Sequence, residues 1–265
     1  YSRSVNEYLR KVELRNVPEW IKECYHPNTL KEILACVYCL KRHKEWFLLA
    51  CLMGILHHQR PGFLSYPASH CAPYLRTAKY PREEYPEMYE YRNVLEKLTQ
   101  KVARVYKNFP DLDYERRRVV FNRDATKMHL NVIPHGTIIT SPPYMRSLTY
   151  ARDNRLRLWF LGESDCDMLD KSISPCAQNF ITMMHRCLHK WAAYQESGEK
   201  CIIIIGDIAI TVNQKKMTLA HLIEEESKNY YRLIDAYQDP IPEAHKLVKG
   251  NNGIKREIIV ALERK

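Results

Sequence analysis

Glycine is scarce in this chain, with eight residues in 265. No G-x-G-x-x-G and no G-x-x-x-x-G-K occurs, and Gly250 and Gly253 are the only close pair. The backbone loops that most often cradle phosphate are therefore missing. No G-x-S-x-G surrounds any serine, which removes a hydrolase elbow. No signal peptide is visible, and the longest apolar stretch, Trp46 to Leu56, is too short to span a bilayer. The expectation is a cytoplasmic protein with no membrane partner. The nine cysteines are scattered, and the single C-x-x-C at Cys36 and Cys39 has no second pair. Buried, reduced thiols are favoured over a zinc set of Cys24, His26, Cys36 and Cys39. No metal is expected.

Charge, by contrast, is plentiful and biased. Lys and Arg number 41 against 31 Asp and Glu, a net charge of +10. That balance favours a polyanionic partner. A chain of this length can bury a sizeable core.

The pattern changes near residue 115. Residues 1–115 read as a helical region. Leu30, Ile33, Leu34, Val37 and Leu40 fall at helical spacing behind Asn28, a suitable cap. Trp46 to Leu56 reads as a well-buried helix, and Val94, Leu98, Val102 and Val105 share one face of another. Between them His57 to Pro86 carries five prolines and reads as an ordered loop. Residues 116–265 alternate strand-like and helical segments. The strand-like runs are Val119 to Phe121, Thr137 to Thr140, Cys201 to Ile205, Tyr231 to Tyr237 and Glu257 to Leu262. Helical patterns occupy Ala177 to Glu196 and Leu219 to Tyr230. This predicts an α/β fold with a mostly parallel sheet covered on both faces, ending in an antiparallel hairpin at its edge.

The strand Thr137 to Thr140 runs into Ser141-Pro142-Pro143-Tyr144. Prolines cannot continue a sheet ladder and they stiffen the turn. A stiff row of carbonyl acceptors beside an aromatic ring suits a flat ligand bearing an amino group. This stretch resembles the motif of DNA methyltransferases that modify exocyclic amino groups: Ser, Asp or Asn, then Pro-Pro, then an aromatic. The resemblance extends to LTYARDNRLRLWFLG (Leu148 to Gly162), RVVFNRDA (Arg118 to Ala125), CIIIIGD (Cys201 to Asp207) and KREIIVALER (Lys255 to Arg264). It covers roughly Arg116 to the C-terminus and, more loosely, the helical stretch from Tyr25 onward.

That likeness implies a partial Rossmann-like methyltransferase sheet with a helical N-terminal region. It implies S-adenosylmethionine as methyl donor and double-stranded DNA as substrate, in a restriction–modification setting. Ser141 and the Pro142 carbonyl would accept from the target amine, with Pro143 stiffening the turn. Tyr144 would stack on the base, and Asp124 would contact the adenine of the donor. Asp207, at the carboxyl end of a strand where open α/β sheets bind ligands, is a further substrate-binding candidate. A turn-capping aspartate is the bland reading of Asp124. The serine form of the motif favours cytosine, with adenine as the close rival.

The donor-binding turn of such enzymes, D-P-F-x-G-x-G, is absent from the sequence. An upstream segment or a partner chain is expected to supply it. A catalytically inactive DNA-binding or scaffolding subunit is the rival of a different class. Within Tyr66 to Arg92, tyrosines alternate with Arg76, Lys79, Arg82 and Arg92, which suits either phosphate-and-base contacts or a packed loop. His57 and His58 read as capping or packing groups.

Overall fold

The computed structural model of the chain describes residues 2–69, 72–107, 109–128, 136–143, 150–163, 165–173, 177–212, 215–242 and 254–265. Two compact units form: Tyr1–Arg116 with Tyr150–Leu169, and Arg117–Thr149 with Asp170–Lys265. The sequence places Tyr150–Leu169 in the second region, whereas its contacts group it with the first unit. The reason is packing: Leu156 and Phe160 are buried in the helical core.

The first unit is helical. It holds α1 (Ser2–Leu9), α2 (Glu19–Lys22), α3 (Pro27–Arg42), α4 (Trp46–Met53), α5 (Val94–Lys107), α6 (Tyr150–Asp153), α7 (Arg155–Leu161) and the start of α8 (Cys166–Ile173). In α3, Leu30, Ile33, Val37 and Leu40 form the buried stripe, as their spacing predicts. The cap is His26 rather than Asn28. The His26 ring accepts from the Asn28 amide at 3.2 Å, and Pro27 occupies the first helical position, where no N–H is needed. α4 is only half-buried. Leu49, Leu52 and Met53 face the core while Trp46 and Phe47 stay exposed. α7 stops at Gly162, whose φ of 99° is the left-handed conformation that favours glycine.

The loop between α4 and α5 is a packed structure. Arg92 donates to the carbonyls of Phe63 and Met88 at 2.8 and 2.9 Å, and also to Ser65. Its burial pulls its pKa below the ordinary arginine value. Arg82 lies over the rings of Tyr66 and Tyr89, 5.3 and 4.9 Å from their centroids. Tyr66 and Tyr89 are themselves buried. Arg82, Arg92, Tyr66 and Tyr89 therefore hold the loop together rather than presenting a phosphate-binding face.

The second unit is built on a sheet of β1 (Ile138–Thr140), β2 (Lys200–Gly206), β5 (Tyr231–Pro240) and β6 (Arg256–Arg264), in the order β1-β2-β6-β5. β1 and β2 are parallel, and β6 is antiparallel to both β2 and β5. The sheet is thus partly parallel, with one parallel pair among the described strands instead of a mostly parallel array. β5 and β6 pair as the predicted antiparallel partners, but β6 sits inside the sheet and β5 closes its edge. A separate hairpin joins β3 (Ala209–Val212) and β4 (Lys215–Thr218).

Alternation along the strands explains the core. Cys201, Ile203 and Ile205 of β2 and Ile258, Val260 and Leu262 of β6 point to one face. They pack with Phe180, Met184, Leu188 and Trp191 of α9 (Ala177–Ala192) and with Leu219, Leu222 and Ile223 of α10 (Leu219–Ser227). On the other face Ile202, Ile204, Ile259 and Ala261 are half-buried. Burial pushes the Cys201 thiol up to about 12, so it stays protonated and inert. The predicted strand Val119 to Phe121 does not form. Val120 is 94% exposed, and no described strand pairs with the segment. Among the described residues, this three-residue run joins no sheet ladder that would satisfy its amides. Among the described residues, no helix is long and apolar enough to cross a membrane.

Candidate functional site at the carboxyl edge of the sheet

β1 carries the proline motif. Ile138, Ile139 and Thr140 pair with Cys201, Ile202 and Ile203, and the strand then ends. Pro142 and Pro143 have no amide hydrogen to donate, so the ladder cannot continue through them. Ser141 is exposed at the strand end, Pro142 is buried and Pro143 is half-buried. The motif is anchored through one proline and open at its serine. Tyr144 lies outside the described residues.

The opposite end of β1 is held by a buried glutamine that the sequence did not single out. The Gln195 amide nitrogen donates to the carbonyls of Gly136 and Lys200 at 2.8 and 2.9 Å. Its oxygen accepts from the Tyr231 hydroxyl at 2.7 Å. One side chain thereby ties the approaches to β1, β2 and β5. A three-residue strand has few ladder bonds, so this clamp carries a large share of its registration. No pattern in the sequence marks Gln195, because its partners are two backbone carbonyls and a residue 36 positions away.

Asp207 follows β2 on the same carboxyl edge as Ser141. The register sets Ser141 level with Ile204, so Asp207 lies three residues further on, about 10 Å along the strand direction. Its carboxylate accepts from Arg256 Nε at 3.0 Å and Nη2 at 2.7 Å. Arg256 also donates to Gln238 at 3.0 Å. Asp207 is therefore committed to an ion pair across β2 and β6. The signal for Arg256 lay in the register: Gly206 faces Glu257, which sets Asp207 opposite Arg256.

Asp124 occupies an exposed turn. Its Oδ1 accepts from the Thr126 amide at 2.9 Å and the Thr126 hydroxyl at 2.8 Å, and Lys127 lies 3.8 Å from Oδ2. The two bonds from Thr126, helped by Lys127, hold its carboxyl below the ordinary aspartate value. This is the geometry of a turn-forming aspartate. Among the described residues, no group of three or more His, Cys, Asp or Glu could hold a metal ion.

No protein-family model matches the chain, and no curated protein matches it. Two solved structures match in part, both of TTHA0409 from Thermus thermophilus, described as a candidate DNA modification methylase. One is a selenomethionine derivative, 14% identical, and the other a complex with S-adenosyl-L-methionine, 15% identical. Each match covers 53% of this chain and 50% of that one, with a TM-score of 0.31. The chain thus spans about half the length of the solved structures it matches. A likeness this low leaves the reading to the chain's own residues.

Proposed function

We propose that the chain carries the motif half of an S-adenosylmethionine-dependent DNA methyltransferase acting on the exocyclic amino group of cytosine in a specific sequence. The observation that carries this reading is Ser141-Pro142-Pro143 at the carboxyl end of β1, with its serine exposed and its first proline buried. Open α/β sheets bind ligands at that edge.

An exocyclic amine is a poor nucleophile because its lone pair is delocalised into the ring. Acceptors on its two N–H bonds localise that pair. Ser141 and the Pro142 carbonyl take this role, which is positioning and electrostatic stabilisation rather than proton abstraction by a strong base. Tyr144 stacks on the extruded base. Extrusion costs roughly a few kcal/mol, and stacking returns about 1–3 kcal/mol. The ring therefore offsets much of the cost of leaving the duplex.

The described residues do not fit the methyl donor by themselves. Asp124 is tied into its own turn, and no D-P-F-x-G-x-G is present. The donor-binding turn then comes from a partner chain or an upstream segment. The open side of β1 is where its strand would add, since among the described residues only β2 pairs with β1. Residues 1–115 serve target recognition in this reading, and the setting is restriction–modification. The missing donor turn also favours a second reading, an inactive DNA-binding subunit.

Ser141→Ala separates the two. With the donor-binding partner present, it should lower methyl transfer by about 10²–10³-fold, with duplex affinity held within about twofold. Unchanged transfer would remove Ser141 from the chemistry.

A further inference from the structure

Away from the sheet, the first unit presents a contiguous aromatic surface. The Phe47 and Tyr106 rings meet edge to face with centroids 5.7 Å apart. Tyr106 and Phe109 stack at 5.6 Å with an interplanar angle of 22°. These three rings and the adjoining Trp46 are between 42% and 57% exposed. Isolated exposed rings are ordinary, but a connected set of them marks an interaction surface.

The flanking chain is cationic. Residues 41–47 contain Lys41, Arg42 and Lys44 with one acid, Glu45. Residues 101–109 contain Lys101, Arg104 and Lys107 with none. Among the described residues, no ion pair holds Lys44, Arg104 or Lys107.

Lys44 adds an independent observation. The end of α3 closes with Glu45 N–H donating to the Leu40 carbonyl at 2.9 Å and Lys44 N–H to Lys41 at 3.2 Å. This closure needs a left-handed residue between helix and exit, a place that glycine fills without strain. Here Lys44 fills it, at φ 58°. A left-handed backbone position occupied by a lysine, two residues before Trp46, points to a use for its charge.

We propose that Trp46, Phe47, Tyr106 and Phe109, with Lys44, Arg104 and Lys107, bind single-stranded DNA by stacking unpaired bases between phosphate contacts. Base stacking on rings tolerates any sequence, and the cations follow the backbone. The choice of DNA over RNA rests on the proposed function; the stacking site itself does not.

The test is fluorescence anisotropy of the full chain with labelled dT12, rU12 and a 12-base-pair duplex. The double variant Phe47→Ala/Tyr106→Ala should weaken dT12 binding by about tenfold or more, with an unchanged circular dichroism spectrum. Lys44→Gly keeps the rings and relieves the backbone. It should raise the melting temperature by roughly 1–3 °C while weakening dT12 binding and reducing the salt slope by about 0.7. Affinity unchanged in both variants, or no wild-type binding to dT12, overturns the proposal. Tighter binding of rU12 overturns DNA as the occupant. A wild-type dimer that the double variant disperses, with no DNA bound, assigns the face to a second copy instead. Methyl transfer by the same samples keeps the two readings apart. Transfer with ring-independent dT12 binding sinks only the stacking surface. Ring-dependent binding without transfer sinks only the reaction.

Discussion

β5 and β1 close the four-stranded sheet on opposite sides, and they do so in opposite ways. β5 runs for ten residues, nearly all of its outer length exposed, and carries Arg232, Asp235, Asp239 and Pro240. It also shifts register between Leu233 and Asp235. Charges, a bulge and a proline are the devices that stop an edge strand from pairing further. β1 has none of them within its three residues Ile138, Ile139 and Thr140, and Ile139 is 68% exposed. What ends it is the proline pair of the candidate site. One edge is finished against partners, whereas the other presents β-branched residues beside the proposed chemistry. In the proposed reading, the added strand and donor turn would join on the β1 side, where among the described residues only β2 pairs with β1.

The comparison breaks most sharply with a charge on each edge. Ile139→Lys should abolish assembly with the donor-binding partner, because the added strand's own covering would bury an unpaired ammonium. That costs several kcal/mol, over a hundredfold in affinity. Tyr237→Lys on β5 should leave assembly and melting unchanged. Analytical ultracentrifugation of the two variants with the partner reads both outcomes, and equal losses would erase the distinction between the edges.

A smaller effect sharpens the same point. Gln195→Leu leaves the Tyr231 hydroxyl and the Gly136 and Lys200 carbonyls without their side-chain partner, at about 1–3 kcal/mol for each group left unsatisfied. Hydrogen exchange should quicken at β1 before β6. Uniform quickening would mean that Gln195 steadies the whole sheet and not the motif strand.

Much of this sheet was legible in the sequence. Cys201 to Ile205 and Glu257 to Leu262 are largely apolar runs, with one face buried and the other half-buried, and short β-branched runs of this kind read as strands. α9 and α3 followed from helical spacing. What escaped was set by pairing and not by local pattern. Val119 to Phe121 has the composition of a strand yet pairs with no described strand, so no strand forms there and Val119 and Val120 stay exposed. The β3–β4 hairpin alternates weakly and its lysines hid it. α4 reads as uniformly apolar, so the exposure of Trp46 and Phe47 follows only from where α3 and α5 pack. Within the site, the proline motif is readable because proline acts locally. Gln195 and Arg256 act across 59 and 49 positions and needed the register.

The smallest expected effect concerns the centre of the sheet, which both edges share. Glu263 accepts from Lys200 and Arg232, and these bonds hold its carboxyl below the ordinary glutamate value. A depressed carboxylate stabilises the fold above its unfolded pKa and loses that contribution as pH falls through the folded value. Wild type should therefore melt above Glu263→Gln near neutral pH, and the two curves should converge in acid. A gap that persists at the lowest pH would show that the pair is not the source.

The central claim is tested most directly by methyl transfer to mixed-sequence DNA followed by nucleoside mass spectrometry, with the chain alone and with its donor-binding segment or partner. The account predicts 4-methylcytosine in the supplemented sample and none with the chain alone. 6-Methyladenine would move the target to adenine. DNA binding with no methylated product in either sample would contradict the reaction and leave a non-catalytic subunit.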